Sequence, residues 1–326
     1  MRIRYLDKTP ALRLAPLLKV FLLGSVLVGR PVAAQNAFEV HGFLQGRFTR
    51  EPGVPDRLEI RRARLIFSAK PLPKWSVRLQ VDLAKSPYLM DASVAYRFSR
   101  SFSLSAGQMK IPFSAESLIS DDRNAPVARS RAVLALAPGR DTGVQARDTG
   151  AQASGEFGSN GRTVEYAAGT FRGQTFVRAP RVHYNAVAGR LILHPLKGAS
   201  VGADWYGSFA APAGLVKRRV DVEGEYARGR AKLSAEQILA RDGTLERRGG
   251  YVLGVWRPNV NWEALARADW LTTNIHKPDT RSIAYVAGGN WYLLKHVKVG
   301  FDVGAQHDQG PKGWSSVIFA QVMPYF

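Results

Sequence analysis

The chemistry legible in this chain is anion chemistry, carried by arginines at alternate positions of short apolar runs. In RLEIRRARLIF, residues 57–67, Arg62 and Arg64 stand two apart, and Arg47, Arg78, Arg97 and Arg267 take matching places in other runs. A guanidinium offers a planar fork of N–H donors that fits phosphate and carboxylate oxygens in pairs. A series of such groups along one wall lowers the barrier for anions and raises it for cations, provided each contact stays weak enough to release the ion. The chain carries 46 Lys and Arg against 26 Asp and Glu, a formal net charge of +20. An excess of this size marks an anionic partner.

Other chemistries have little support. The six histidines, at 41, 183, 194, 276, 296 and 307, are scattered, and no His-Glu-x-x-His, Gly-x-Ser-x-Gly or phosphate-cradling Gly-Lys loop occurs. With no cysteine, thiol catalysis and Cys-based metal sites are excluded. We therefore assign no catalytic residue, no metal ligand and no cofactor. The pair Asp121-Asp122 offers hard oxygen ligands for Ca²⁺, but an isolated acidic pair reads first as a solvated one.

Residues 1–34 read as a secretory signal peptide. They have a basic front (Arg2, Arg4, Lys8, Arg13, Lys19), an apolar run VFLLGSVLV and a small-residue site ending Val32-Ala33-Ala34. Their removal takes six basic and one acidic side chain and leaves 40 against 25, a net +15. An exported chain rarely meets nucleic acid, so the expected partners are small anionic solutes, together with lipopolysaccharide phosphates. The lack of cysteine also suits passage through an oxidising compartment.

The elements that must position the arginines are strands. In Phe38–Phe48, Phe38, Val40, Gly42, Leu44, Gly46 and Phe48 share one face, and Glu39, His41, Gln45 and Arg47 the other. Such period-two alternation recurs in about sixteen runs, near 37–49, 57–70, 74–84, 88–98, 101–110, 142–157, 162–172, 180–194, 198–209, 217–227, 229–241, 247–257, 260–273, 281–294, 296–306 and 313–326. The eighth run changes phase near Arg190, which predicts a bulge there, and the sixth and twelfth alternate poorly. Connectors are alternately tight (Pro71-Leu72-Pro73, Ser99-Arg100, Pro258-Asn259) and longer and more polar (50–56, 172–179, 210–216, 242–246, 274–280). Short turns on one rim and long loops on the other predict an all-β fold: a transmembrane, antiparallel, up-and-down β-barrel over residues 35–326. No other stretch is apolar enough for a spanning helix. A barrel also satisfies every backbone group internally, as hydrocarbon requires. The terminal strand ends in Phe326, the kind of end read by the outer-membrane barrel assembly machinery. Aromatics near strand ends (Trp75, Tyr88, Phe98, Trp256, Trp262, Trp270, Trp291, Trp314) predict interfacial girdles facing outer-membrane lipid.

One stretch interrupts this pattern, Gly107–Gly143, on the long-loop side and third in order. Long irregular segments inside compact domains are usually functional, and we expect this one to fold into the bore.

Residues 57–67, 90–92 (MDA), 107–120 (GQMKIPFSAESLIS), 129–131 (RSR) and 139–143 (GRDTG) resemble the phosphate-selective porin O and P family. The resemblance implies a sixteen-stranded outer-membrane barrel, a homotrimer, anion passage, and a third loop that forms the constriction. It departs from the family's phosphate channels in one respect, since Lys110 is the only lysine in the long stretch. The substrate-binding residues expected are Arg47, Arg62, Arg64, Arg78 and Arg97 on the lumenal wall, with Lys110, Arg123, Arg129 and Arg131 in the loop. Acids at 82, 91, 204, 223, 225, 263, 269 and 302 share the lumenal face and are expected to neutralise about half of the lumenal arginines. The first five strands should then carry the net positive field, with the later strands balanced. The alternative readings are a lipase-like barrel hydrolase and a structural barrel with a plugged bore.

Overall fold

The computed structural model describes residues 38–84, 88–159, 161–173, 185–209, 216–293, 295–308 and 313–326. The expected signal peptide and its cleavage point lie outside the described residues. No described helix is long and apolar enough to cross a membrane.

Sixteen antiparallel strands close into one barrel. They are β1 (Phe38–Arg50), β2 (Arg57–Ala69), β3 (Trp75–Asp82), β4 (Leu89–Arg97), β5 (Ser103–Lys110), β6 (Arg147–Ser159), β7 (Arg162–Phe171) and β8 (Asn185–Leu196). There follow β9 (Ala199–Phe209), β10 (Lys217–Arg228), β11 (Ala231–Asp242), β12 (Leu245–Asn259), β13 (Trp262–Thr272), β14 (Arg281–Leu293), β15 (Val297–Asp308) and β16 (Trp314–Pro324). Each strand pairs with its sequence neighbours, and β16 returns to β1 with Arg47 opposite Gln321. Closure leaves no unpaired edge, the condition a sheet must meet in lipid. The seam is finished by the carboxy-terminal residue. Gly42 and Phe326 exchange backbone hydrogen bonds of 3.1 Å, and a Cβ on Gly42 would lie 2.5 Å from the Phe326 ring. Glycine there makes room for the terminal aromatic.

The alternation sorts side chains as expected. Val40, Leu44, Val94, Leu104, Val220, Val222, Phe301 and Val303 are exposed on the outer face. Arg47, Arg64, Asp82, Asp91, Asp204, Arg267 and Asp302 are buried on the inner one. Outer aromatics cluster at strand ends: Trp75, Tyr96 and Phe98 pack edge to face at 4.9 and 4.6 Å, and Trp262 stacks on Trp291 at 5.5 Å.

Three details depart from the sequence reading. Strand β6 begins at Arg147 rather than near 142, because Gly143, Gln145 and Ala146 all have positive φ and make a left-handed corner. The connector between β11 and β12, expected to be long, is a two-residue turn, with Asp242 paired to Leu245 and Gly243 at φ 59°. The expected bulge at Arg190 is absent: Arg190 pairs regularly with Ala167 and Asp204, and the register shift comes later, between Leu193 and Leu196. The apparent change of phase arises because Ala186 and Ala188 are apolar and yet face inward, into an apolar cluster. Strand β12 alternates poorly for the same reason, since Tyr251, Leu253 and Val255 join that cluster while Val252 and Trp256 face outward.

The other side of the cluster is the long connector, residues 111–146. It holds two short helices, α1 (Ala115–Leu118) and α2 (Arg131–Leu136). Ser114 caps α1 by accepting the Ser117 N–H at 3.1 Å. Val133 and Leu136 of α2 are fully buried with Ile111 and Phe113, against Tyr206, Ile238, Tyr251 and Leu271 of the wall. Burying side chains of this size is worth about 1.5–3 kcal/mol each. Gly249 permits the approach, because a Cβ there would come within 2.9 Å of Ala132.

Candidate functional site

The connector crosses the bore and meets two walls of opposite charge. On the β1–β2 side the wall is basic. Arg64 donates to Asp82 at 2.9 Å and to Asp121 of the connector at 2.6 Å, and also bonds Gln145. Arg62 lies 2.9 Å from the same Asp121 and donates to Gln45 at 2.6 Å. Arg129 reaches Asp121 from within the connector at 2.8 Å, and donates to the carbonyls of Ile119 at 2.7 Å and of Glu116. Three guanidinium groups thus share one carboxylate. Burial opposes ionisation of Asp121, but Arg62, Arg129 and Arg64 outweigh it and hold this carboxyl well below the usual carboxylate range.

Each residue expected from the sequence has a definite place. Arg47 donates to Thr49 at 2.9 Å and lies 5.4 Å over the Phe319 ring. Arg78 pairs with Asp91 at 3.1 Å. Arg97 is exposed and lines a cavity at the short-turn end. Lys110 is turned into the connector, its amine donating to the carbonyls of Leu118 at 2.6 Å and Ile119 at 3.3 Å. Arg123 points into solvent, 83% exposed. Arg131 is one-third exposed, 3.3 Å from Asp308.

Beside the connector, on the β1–β2 side, lies a cavity of about 150 Å³. That is the volume of roughly five waters at ~30 Å³ each. Its lining includes Arg47, Arg57, Arg61, Arg62, Arg129, Arg131 and Arg267 against Glu51, Asp121 and Asp269, seven cations to three anions. Arg61 is the residue strict alternation misses. A register shift opposite Gln45 and Gly46 inserts it into β2 and brings both Arg61 and Arg62 to the cavity. The only trace in the sequence is the doublet Arg61-Arg62. Arg147 was missed for a different reason. It opens β6 from the corner described above and donates to Asp91 at 2.7 Å. A wider cavity of about 430 Å³ at the short-turn end is lined by Arg97, Arg100 and Arg190 with Glu156 and Glu165.

The wall formed by β9–β15 is acidic and grips the connector by its amides. Asp204 accepts the Ser114 N–H at 2.6 Å, Glu223 the Ala115 N–H at 2.7 Å, Glu236 the Glu116 N–H at 2.6 Å and Asp302 the Val127 N–H at 2.7 Å. Lys298, Arg267 and Arg219 donate to the carbonyls of Asn124, Ala128 and Leu136 at 2.5, 2.7 and 2.8 Å. In the later strands Arg190 pairs with Asp204 and Glu223, Arg257 with Glu263 and Arg267 with Asp269, as the sequence reading expected. Connector amides bond further oxygens of these carboxylates. Glu116, a buried residue of the connector itself, has its carboxyl pushed up by burial, offset in part by Arg267 and Arg129.

A closed sixteen-stranded barrel with a long segment bound across its bore invites comparison with known proteins, and residues 38–177 match the family model described as phosphate-selective porin O and P. Over that span, which is less than half of the chain, the sequence is similar to the phosphate-selective porin O and P family. The matched part covers β1 to β7 and the connector, and so includes the basic wall of this barrel. No curated protein sequence matches the chain. Among solved structures, the chain is similar to an anion-selective porin from Comamonas acidovorans, at 12% identity and a TM-score of 0.64 over 90% of this chain and 100% of the other. It is likewise similar to a loop L8 deletion mutant of OmpT, an outer membrane protein of Vibrio cholerae, at 12% identity and TM-score 0.67 over 90% and 100%. The outer membrane channel DcaP of Acinetobacter baumannii aligns at 13% identity and TM-score 0.62 over 92% and 100%. At these identities the shared property is the barrel fold.

Proposed function

We propose that this outer-membrane porin passes small anions by diffusion along its basic wall. The observation that carries the reading is the narrow cavity beside the connector, in which cations outnumber anions seven to three. Arg47, Arg61 and Arg62 would meet the ion from the wall, with Arg131 and Arg123 on the connector near its entrance. Arg78 and Arg97 would act further toward the short-turn end. Arg64, Arg129 and Lys110 are committed to holding the connector, and so act on the path by shaping it. Phosphate is the anion the family match favours, and guanidinium pairs suit its oxygens.

The reading places the chain in the bacterial outer membrane, as a channel rather than an enzyme, with residues 1–34 as the exported chain's signal. Homotrimeric assembly is part of the proposal, supported by a trimer form of Vibrio cholerae OmpT among the similar structures. So are contacts with lipopolysaccharide and recognition of the terminal strand by the assembly machinery. The test is reconstitution of residues 35–326 in planar bilayers. A reversal potential of the sign for anions in a KCl gradient is expected, with phosphate conducted beside chloride. A cation-selective or silent barrel would refute it, and a silent one would leave the plugged bore.

A further inference from the structure

The acidic wall contains charge that the connector does not account for. Asp204 of β9 stands directly opposite Asp221 of β10, and Glu223 stands directly opposite Glu236 of β11. Like charges in direct cross-strand register are destabilising even when solvated, and these four carboxylates are buried. Glu236 is satisfied by Ser114, Glu116 and Tyr251. One Asp204 oxygen and both Glu223 oxygens bond Arg190 and connector amides. Asp221 is different. It is fully buried, and among the described residues neither of its carboxylate oxygens has a hydrogen-bond partner; the second Asp204 oxygen has none there either. Ligand atoms from Asp204, Asp221 and Glu223 all lie within 4.8 Å of one another.

We propose that Asp204, Asp221 and Glu223 hold a divalent cation, Ca²⁺ by preference, in the barrel wall beneath α1. Three carboxylates against the one guanidinium of Arg190 leave two negative charges, the complement of a divalent ion. The donors are all oxygen, which selects hard cations over zinc or copper. Side chains projecting from two strands give an irregular cage, which Ca²⁺ tolerates better than Mg²⁺ does, and water completes its six to eight ligands. The ion would sit behind the carboxylates that accept the Ser114 and Ala115 amides, so it fixes the start of the connector. The site is separate from the anion path and independent of the selectivity proposed above.

The experiment uses the mature chain refolded into detergent free of lipopolysaccharide, stripped with EDTA, and titrated with ⁴⁵Ca²⁺ by flow dialysis. One Ca²⁺ per chain is expected to bind. Asp221→Asn, which keeps the shape and removes the charge, should weaken binding by roughly 100-fold or more, since even outer partners of a metal are worth 10–100-fold. Glu225→Gln, outside the cluster, should bind as the parent does. Unheated electrophoretic mobility reports whether each variant folds. If Asp221→Asn does not fold, the parent decides: its melting temperature should fall on chelation and recover with Ca²⁺. Absence of saturable binding at millimolar Ca²⁺, parent-like binding by Asp221→Asn, or a melting temperature indifferent to chelator but raised by acid would overturn the proposal. The last result would mean that the carboxyls carry protons instead.

Discussion

The two walls of the bore solve the same problem in opposite ways. On the β1–β2 side three arginines converge on one connector carboxylate, Asp121, and further guanidinium groups face open space. On the β9–β11 side several carboxylates converge on connector amides, with Arg190 between them. Connector side chains therefore answer the basic wall, and connector backbone answers the acidic one. The difference matters because an amide satisfies a carboxylate oxygen without adding a charge, whereas Arg47, Arg61 and Arg62 face the cavity with theirs. The unequal walls leave a positive field on one side of the connector.

The largest test of this contrast is Asp121→Asn. It leaves Arg62, Arg64 and Arg129 buried without their shared counter-charge. Breaking a buried ion pair from one side costs about 3–5 kcal/mol, which thermal unfolding in detergent would read as a large fall in melting temperature. Lys110→Met should cost less, about 1–3 kcal/mol for the carbonyls left unpaired. It should leave the anion-to-cation permeability ratio near that of the parent, because Lys110 holds the connector. A change of selectivity without a loss of stability would return Lys110 to the ion path.

Selectivity itself should respond to Arg47→Gln with Arg61→Gln. Each charge ~5 Å from the path in a water-like dielectric is worth ~0.8 kcal/mol to an anion and costs a cation as much, so together they should lower the permeability ratio on the order of a hundredfold. The effect should be clearest at low salt, where screening is weak. These positions are better probes than Arg64, whose reversal would break the Asp82 and Asp121 pairs as well. Arg123→Ala should change the ratio least, given its solvent exposure.

Acid supplies a further test. The Asp121 carboxyl is held below its unfolded value. Its stabilisation is therefore fully present above about pH 4, the unfolded Asp value, and is lost only as pH falls through the lower, folded value. Melting temperature read from pH 7 to 4 should show no loss assignable to Asp121, and the Asp121→Asn variant should show the same profile from a lower baseline. Convergence of the two between pH 7 and 5 would mean that Asp121 had already been protonated.

Much of this was legible in the residues. Alternation in Phe38–Phe48 and in the runs after it placed sixteen strands within a few residues of their observed ends, because lipid on one face and charge on the other leave a period of two that neighbours cannot disguise. Arg47, Arg62, Arg64 and Arg267 could be assigned to the inner face on the same ground, since a guanidinium on the lipid face is costly. The long connector could be located by its length. Its attachments were not legible. The sharing of Asp121 by Arg62, Arg64 and Arg129 joins residues up to 67 positions apart, and the grip of Glu236 on Glu116 spans 120. The inward turn of Arg61 follows from a register shift that depends on the partner strand. Apolar residues inside the bore, such as Ala186, Ala188 and Leu253, confused the alternation because they join an apolar cluster with the connector and do not face lipid. The sequence by itself determined the wall, since each strand's two faces are written in adjacent residues. Only the tertiary structure decided which inward charges are spent on the connector and which face the cavity beside it, because that depends on groups distant in the chain meeting across a closed bore.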